Sequence, residues 1–79
     1  MEKKIIEMQE KAITKLAMTF HEIQMAQAME DEEDQQAHEI MAAAMIVGWG
    51  TIGLDEDYIR NGAFELLAQM NHEIFSGRK

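Results

Sequence analysis

The first 47 residues of the chain contain neither Gly nor Pro, and all 79 residues contain no Pro. Long uninterrupted runs of residues with high helix propensity favour helices over strands and loops. Three of the five Gly residues gather instead in one short segment, Gly48-Trp-Gly-Thr-Ile-Gly53. This distribution predicts an all-α chain with its main turn in that segment.

Apolar residues recur at helical spacing and divide the chain into three helices within a single domain, residues 1–79. We expect helix 1 at about 2–29, helix 2 at about 34–47, a Gly-rich turn at 48–53 and helix 3 at about 55–75. Helices 1 and 3 are long, and helix 2 is rich in Ala and Met. The predicted architecture is a small helical bundle.

Five consecutive acidic residues, Glu30 to Asp34, follow helix 1. Their mutual repulsion weakens a helix, and negative charge opposes the macrodipole at a helix C-terminus. The same charges suit the N-terminus of a following helix, with Asp31 or Asp34 as its N-cap. We therefore predict a break near residues 31–34. One continuous helix as far as Val47 is the alternative, because neither Gly nor Pro interrupts the segment.

Helix 2 is apolar on all sides from Ile40 to Val47, which predicts a helix buried on most sides. We expect Gly48 to end this helix in the C′ position and Asp55 to cap the start of helix 3. The apolar residues of helix 2 that share one face and are expected in the core are Ala37, Ile40, Met41 and Ala44.

The chain is small, and its fold has no covalent reinforcement. Seventy-nine residues without Cys can form neither a disulfide nor a thiolate metal site, yet 47% of the residues are hydrophobic. A chain of this size buries only about 60–65% of the surface that its unfolded form exposes. Helices 1 and 3 also carry apolar residues on two sides. We therefore expect a homo-oligomer, most simply a homodimer, with these two helices supplying the subunit interface.

The formal net charge is −8, from 15 acidic and seven basic residues. Residues 16–76 contain twelve acids and a single base, Arg60, a balance of −11. A field of this sign repels phosphate backbones and anionic membranes, so we expect no direct nucleic-acid or membrane binding. The charged start of the chain does not resemble a signal peptide, and together with the absence of Cys it predicts a cytoplasmic location.

Two motifs in the Gly-rich segment have structural explanations. Gly48, Gly50 and Gly53 match the Gly-x-Gly-x-x-Gly dinucleotide pattern, but a helix precedes them where the pattern requires a strand. The segment also resembles a helix-turn-helix, but the second helix would begin with acids that repel the phosphodiester backbone. A turn between helices is the better interpretation of both.

Each predicted helix contains a His-Glu-Ile triplet, starting at His21, His38 and His72. No His-x-x-x-His or Glu-x-x-His spacing accompanies these residues, so we predict no metal site and no cofactor. If each Ile faces the core, its His points to the opposite side of the helix. Histidines at a subunit contact would weaken assembly near pH 6, whereas equal oligomer mass at pH 5.5 and 8 would exclude that idea.

The main enzymatic alternative is a Mg²⁺-dependent nucleotide pyrophosphohydrolase, because such all-α enzymes also assemble from long acidic helices. They hold Mg²⁺ between Glu-Glu-x-x-Glu on one helix and Glu-x-x-Asp on the next. Here Glu22 is followed three residues later by Met25, and Glu39 by Ala42. Met and Ala cannot complete a carboxylate cage. No nucleophilic site has convincing partners either, and we predict no catalytic residues.

The sequence therefore predicts a small acidic protein that binds other macromolecules as an adaptor or inhibitor. One version presents carboxylates in place of phosphates to a basic partner protein. A ligand-binding bundle is a further alternative. Residues expected at the partner or subunit interface are Met18, Met25, Met29, Trp49, Phe64 and Phe75. The expected acidic surface comprises Glu30, Asp31, Glu32, Glu33, Asp34, Asp55, Glu56 and Asp57.

Overall fold

The computed structural model describes the chain from residue 2 to residue 76, with side chains described over residues 3–73. Three helices account for most of this range: α1 (Glu2–Ala28), α2 (Glu32–Thr51) and α3 (Glu56–Ser76). No strand occurs among the described residues. The prediction of an all-α, three-helix fold is confirmed.

The three helices form one flat layer. α1 lies in the middle and packs extensively against both α2 and α3, whereas α2 and α3 touch each other only over a short stretch. The principal dimensions of the molecule are 43 × 31 × 14 Å. A layer of this thickness has a narrow interior, because each helix contacts its neighbours on its flanks and leaves its other sides open.

The best-covered part of the core is the seam between α1 and α3. Leu16 on α1 and Ile59 on α3 are completely buried, with Ala12 and Ala63 beside them. Gly62 lets the two helices approach closely, because a Cβ atom at this position would lie 2.6 Å from Cδ1 of Ile13. We call this region the α1–α3 seam. It is where the chain buries its largest side chains.

A Schellman turn separates α1 from α2. The N–H of Asp31 donates to the carbonyl oxygen of Ala26 (2.9 Å), the N–H of Glu30 donates to that of Gln27 (3.1 Å), and Glu30 has a positive φ of 57°. The Asp31 carboxylate then accepts a hydrogen bond from the N–H of Asp34 (3.1 Å) and caps α2. The continuous-helix alternative is therefore wrong in this structure.

The C-terminal end of α2 lies beyond the expected one. Gly48 is inside the helix, and the Gly-rich turn expected at 48–53 is helical in its first part. Gly53 takes the C′ position that we expected of Gly48, with a φ of 92° and the N–H of Leu54 donating to the carbonyl oxygen of Trp49 (3.0 Å). A Gly weakens a helix by about 1 kcal/mol but does not by itself end it.

The molecule exposes more surface than a closed protein of its mass. Its accessible surface is 5981 Å², whereas the size scaling of folded monomers gives about 4,900 Å² for 9.1 kDa. Its Cα radius of gyration is 13.8 Å, against about 11.6 Å for a compact domain of 79 residues. The flat arrangement of the helices accounts for both differences.

Candidate interaction surfaces

The outer side of α2, turned away from α1, is apolar and exposed. Seven residues at helical i, i+3 and i+4 spacing share this side, and none of them is charged. Ile40 is 70% exposed and Val47 is 64% exposed. We call this the outer face of α2. Its members are Ala37, Ile40, Met41, Ala44, Val47, Gly48 and Thr51.

Helix α2 contacts the rest of the chain through its other side. Ala42 is the one buried residue of α2. Met45, Ile46 and Trp49 are partly buried against the core. The expectation that α2 is buried on most sides is therefore wrong for a single protomer, as is the expectation that the set containing Ile40 faces the core. The flat arrangement is the reason, since α1 covers one side of α2 and no other described part of the chain covers the opposite side.

The three methionines predicted at an interface are exposed, with Met18 and Met25 on α1 and Met29 directly after its last residue. Met18 is 58%, Met25 48% and Met29 74% exposed. Their spacing of seven and four residues places them on one side of the helix, with Glu22 among them. We call this the methionine face of α1. It leads directly into the acidic run that follows α1.

Trp49 closes one end of the bundle. It is half-buried against the core and lines a pocket of about 220 Å³ between the start of α1 and the end of α2. Two basic residues, Lys11 and Lys15, stand among the residues that line this pocket, together with Met8 and Leu54. Most of the indole surface is therefore used within the protomer.

Of the two phenylalanines expected at an interface, Phe64 and Phe75, the structure describes the side chain of one. Phe64 stacks on Phe20 of α1 with a centroid distance of 5.1 Å and an interplanar angle of 11°, and about half of its surface stays exposed. The side chain of Phe75 lies outside the described residues. Phe64 thus joins α3 to α1 besides contributing exposed surface.

The acidic residues form two exposed groups at opposite ends of the layer. Residues 30–34 lie at the turn between α1 and α2, and residues 55–57 lie at the start of α3. The 20 residues of α2 separate them by about 30 Å. Asp55 caps α3 by accepting from the N–H of Tyr58 (3.1 Å), and Asp57 pairs with Arg60 (3.1 Å). The two groups do not make one continuous acidic surface.

The histidines do not follow the arrangement expected from their triplets. In α2 the roles are reversed, because Ile40 is exposed while His38 is half-buried, with its Nδ1 2.9 Å from the carbonyl oxygen of Asp34. His21 is also half-buried, and His72 is exposed. Over the described residues, no group of three or more His, Cys, Asp or Glu side chains is placed to hold a metal ion.

A shallow groove runs along the α1–α3 seam on the side of Tyr58. It has a volume of about 400 Å³ and is lined by a mixture of apolar and polar side chains, among them Ile13, Gly62, Glu65 and Leu66. The groove is open to solvent over much of its length. It brings together no titratable group with a reactive partner.

Reasoning from the sequence missed the outer face of α2 as a surface. The signal was present, since the apolar spacing that starts at Ala37 continues through Val47 to Gly48 and Thr51. Placing the helix end at Gly48 concealed it. Once the helix is extended, the pattern reads as a single apolar side four turns long.

Comparisons with known proteins leave these surfaces as the basis for function. No family model, no curated protein and no solved structure matches the chain. Within the described part of the chain, no helix is both long enough and apolar enough to span a bilayer.

Proposed function

We propose that this chain is a small, cytoplasmic, non-enzymatic interaction protein that assembles as a homo-oligomer and binds a basic partner protein. The observation that carries the partner-binding part is the methionine face of α1, which is exposed and ends at the carboxylates of residues 30–34. The self-assembly part is supported by the excess accessible surface of the protomer.

The methionine face fits an apolar segment of a partner. Met side chains are unbranched and flexible, so a row of them adapts to different apolar side chains, as in grooves that accept amphipathic helices. From Met18 to Met29 the chain rises by 11 residue steps, a length of about 16 Å. About three turns of a partner helix would cover that length.

The acidic run selects the charge of the partner. Residues 30–34 are all exposed, and no basic residue lies in the last turn of α1. Carboxylates in this position attract Lys and Arg and accelerate encounter with a basic protein. A partner helix with an apolar side and a basic end is therefore the best complement to this region.

A more specific version is an inhibitor that offers carboxylates where its partner binds phosphates. The exposed run at residues 30–34 supports it, and the separation of about 30 Å from residues 55–57 indicates that a compact contact would use one acidic group alone. Asp31 already accepts a backbone hydrogen bond as the cap of α2, which leaves the neighbouring glutamates as the freer contacts.

Binding of a synthetic amphipathic peptide, with Leu on one side and Lys on the other, tests the proposal. We expect the Kd to rise steeply between 50 and 200 mM NaCl, because the exposed charges are screened over about 10 Å. Met25→Lys should weaken binding by about tenfold or more. Gln24→Lys is the control, since Gln24 is an exposed neighbour on a different side of α1 and receives the same charge change.

Equal weakening by Gln24→Lys and Met25→Lys would reduce the interaction to net charge and contradict a role for the methionine face. Absence of peptide binding at low salt would contradict the proposal as a whole. Hydrolysis of nucleoside triphosphates with Mg²⁺ that is abolished by Glu39→Gln would show instead that the protein is an enzyme.

A further inference from the structure

We infer that the outer face of α2 is the homodimer interface, occupied by α2 of a second copy in antiparallel orientation with Ala44 near the twofold axis. This inference deepens the self-assembly part of the proposed function and is independent of the basic partner. The sequence predicts that helices 1 and 3 supply the subunit interface, whereas this inference places the interface on α2.

The character of the face identifies its occupant as apolar. Seven residues on one side of α2 carry no charge, while the chain as a whole has 28% charged residues. Ile40, Met41 and Val47 are each at least half exposed in the protomer. Removal of apolar surface from water is favourable, so a second apolar surface is the best cover for this face.

The area available matches what a dimer of this chain needs. The protomer exposes 5981 Å², roughly 1,100 Å² more than a folded monomer of its mass. A standard specific interface buries about 800 Å² on each partner. The excess surface of one protomer is thus of the same order as the area that one partner buries in a standard interface.

Small residues at the middle of the face allow two helices to cross closely. Ala44 occupies the centre of the stretch from Ala37 to Thr51, and Gly48 lies one turn further on. A Cβ atom built at Gly48 meets nothing within 4 Å, so the space in front of this position is empty in the protomer. The larger Ile40, Met41 and Val47 side chains flank this gap and can fill the grooves of a facing helix.

Charge favours the antiparallel orientation. In a parallel pair the two runs at residues 30–34 would lie side by side and bring ten carboxylates together. In an antiparallel pair centred on Ala44 the two N-termini of α2 are about 36 Å apart, well beyond the screening length at physiological salt. Each run of five carboxylates at residues 30–34 then lies toward the group of three at residues 55–57 of the second copy rather than toward another run of five, and the dipoles of the two α2 helices are opposed.

Light scattering on Ala44→Glu tests the inference. We expect twice the chain mass of 9.1 kDa for the unaltered protein and the single mass for the variant. Two carboxylates at the twofold axis should raise the dimer dissociation constant by about 100-fold or more. Ala68→Glu is the matched control, because Ala68 is an exposed Ala on α3 and should leave the mass unchanged.

Disulfide trapping gives a second readout that does not depend on the variant folding with a new charge. The chain has no Cys, so a single introduced Cys reports one position without ambiguity. Ala44→Cys should form a covalent dimer on mild oxidation, because two helices crossing at small residues bring their Cα atoms into disulfide range, about 4.4–6.8 Å. Ala68→Cys should form little covalent dimer under the same conditions.

The inference is overturned if the unaltered chain has the single mass at 100 µM, or if Ala68→Cys cross-links faster than Ala44→Cys. The dependence on salt concentration distinguishes dimerisation from binding of the basic peptide. Added NaCl should leave the dimer unchanged or strengthen it, since both protomers are acidic, whereas it should weaken the peptide complex. Loss of the dimer in Ala44→Glu with retained peptide binding would leave the partner proposal standing.

Discussion

At the α1–α3 seam, Leu16 and Ile59 are completely covered, whereas on the outer face of α2 the aliphatic side chains of Ile40 and Val47 are mostly exposed. The two regions have similar apolar residues at similar helical spacing. Their difference comes from neighbours, because α3 covers one side of α1, whereas no described element covers the outer side of α2. Apolar periodicity therefore identifies a face that has to be covered, without identifying the chain that covers it.

Glycines mark the same contrast. At Gly62 in the seam, an added Cβ would lie against Ile13, and at Gly48 on the outer face it would meet open space. Both residues are inside helices, where Gly is unfavourable by about 1 kcal/mol relative to Ala. At Gly62 that cost is offset by closer packing of α1 against α3. At Gly48 nothing within one protomer offsets it.

The largest expected effect is the loss of a covered side chain from the seam. Leu16→Ala should lower the free energy of unfolding by about 2–5 kcal/mol, because it removes a fully buried side chain and leaves a cavity. Ile40→Ala should change it by less than about 0.5 kcal/mol when the protein is dilute enough to be a single chain. Urea denaturation followed by circular dichroism measures both. Similar losses in the two variants would show that Ile40 is covered within the protomer.

A smaller loss is expected from filling the close contact at Gly62. Gly62→Ala should lower the free energy of unfolding by about 1 kcal/mol, since crowding of Ile13 costs about 1–3 kcal/mol and the better helix propensity of Ala offsets part of this. In an Ile13→Ala background, which removes the Cδ1, Cγ1 and Cγ2 atoms that crowd this position, the same substitution should become neutral or stabilising. A double-mutant cycle measures this coupling. Additive effects would mean that the seam is looser at this point than the structure shows.

The sequence was sufficient to predict three helices and the residues that cap two of them. The acidic run offers Asp31 or Asp34 as the cap of helix 2, and Asp55 is the expected cap of helix 3; in the structure Asp31 and Asp55 accept the backbone N–H groups. The predicted end of α2 is too early, because Gly48 lies inside the apolar helix and does not end it. Among the glycines that the structure describes, only Gly53 adopts a positive φ. Composition alone does not distinguish a glycine that ends a helix from one that lies on its surface.

The faces were harder to predict than the helices. Because α2 is apolar on all sides from Ile40 to Val47, its sequence does not show which side packs against the rest of the chain. The side that faces α1 depends instead on how the two helices are joined. That joint is the Schellman turn at Glu30, a residue type with no preference for positive φ. Met18, Met25 and Met29 are exposed in the structure, and their place at an interface stays a prediction from the apolar residues on more than one side of α1. Their partner is not encoded in any local pattern.

The turn that orients α2 allows a comparison of one substitution at two sites. Glu30→Gly should raise the free energy of unfolding by about 1 kcal/mol, because Gly adopts a positive φ without steric cost. Glu33→Gly removes the same charge inside the first turn of α2 and should lower it by up to about 1 kcal/mol. Thermal unfolding of the two variants measures the difference. Equal effects would indicate that relief of repulsion among the five acids dominates over backbone geometry.

The smallest expected effect is at Gly48, where one substitution should act differently on the single chain and on the proposed dimer. In a dilute single chain, Gly48→Ala should raise the free energy of unfolding by about 0.5–1 kcal/mol, because the new methyl group enters open space and Ala favours the helix. In the proposed dimer the same methyl group enters the close contact one turn from the crossing point at Ala44, so the dimer dissociation constant should increase severalfold. Unfolding of the dilute protein and light scattering over a dilution series measure the two quantities separately. A variant that is more stable as a single chain and dimerises as well as the original would show that the two helices do not approach closely at Gly48, which contradicts a crossing centred on Ala44.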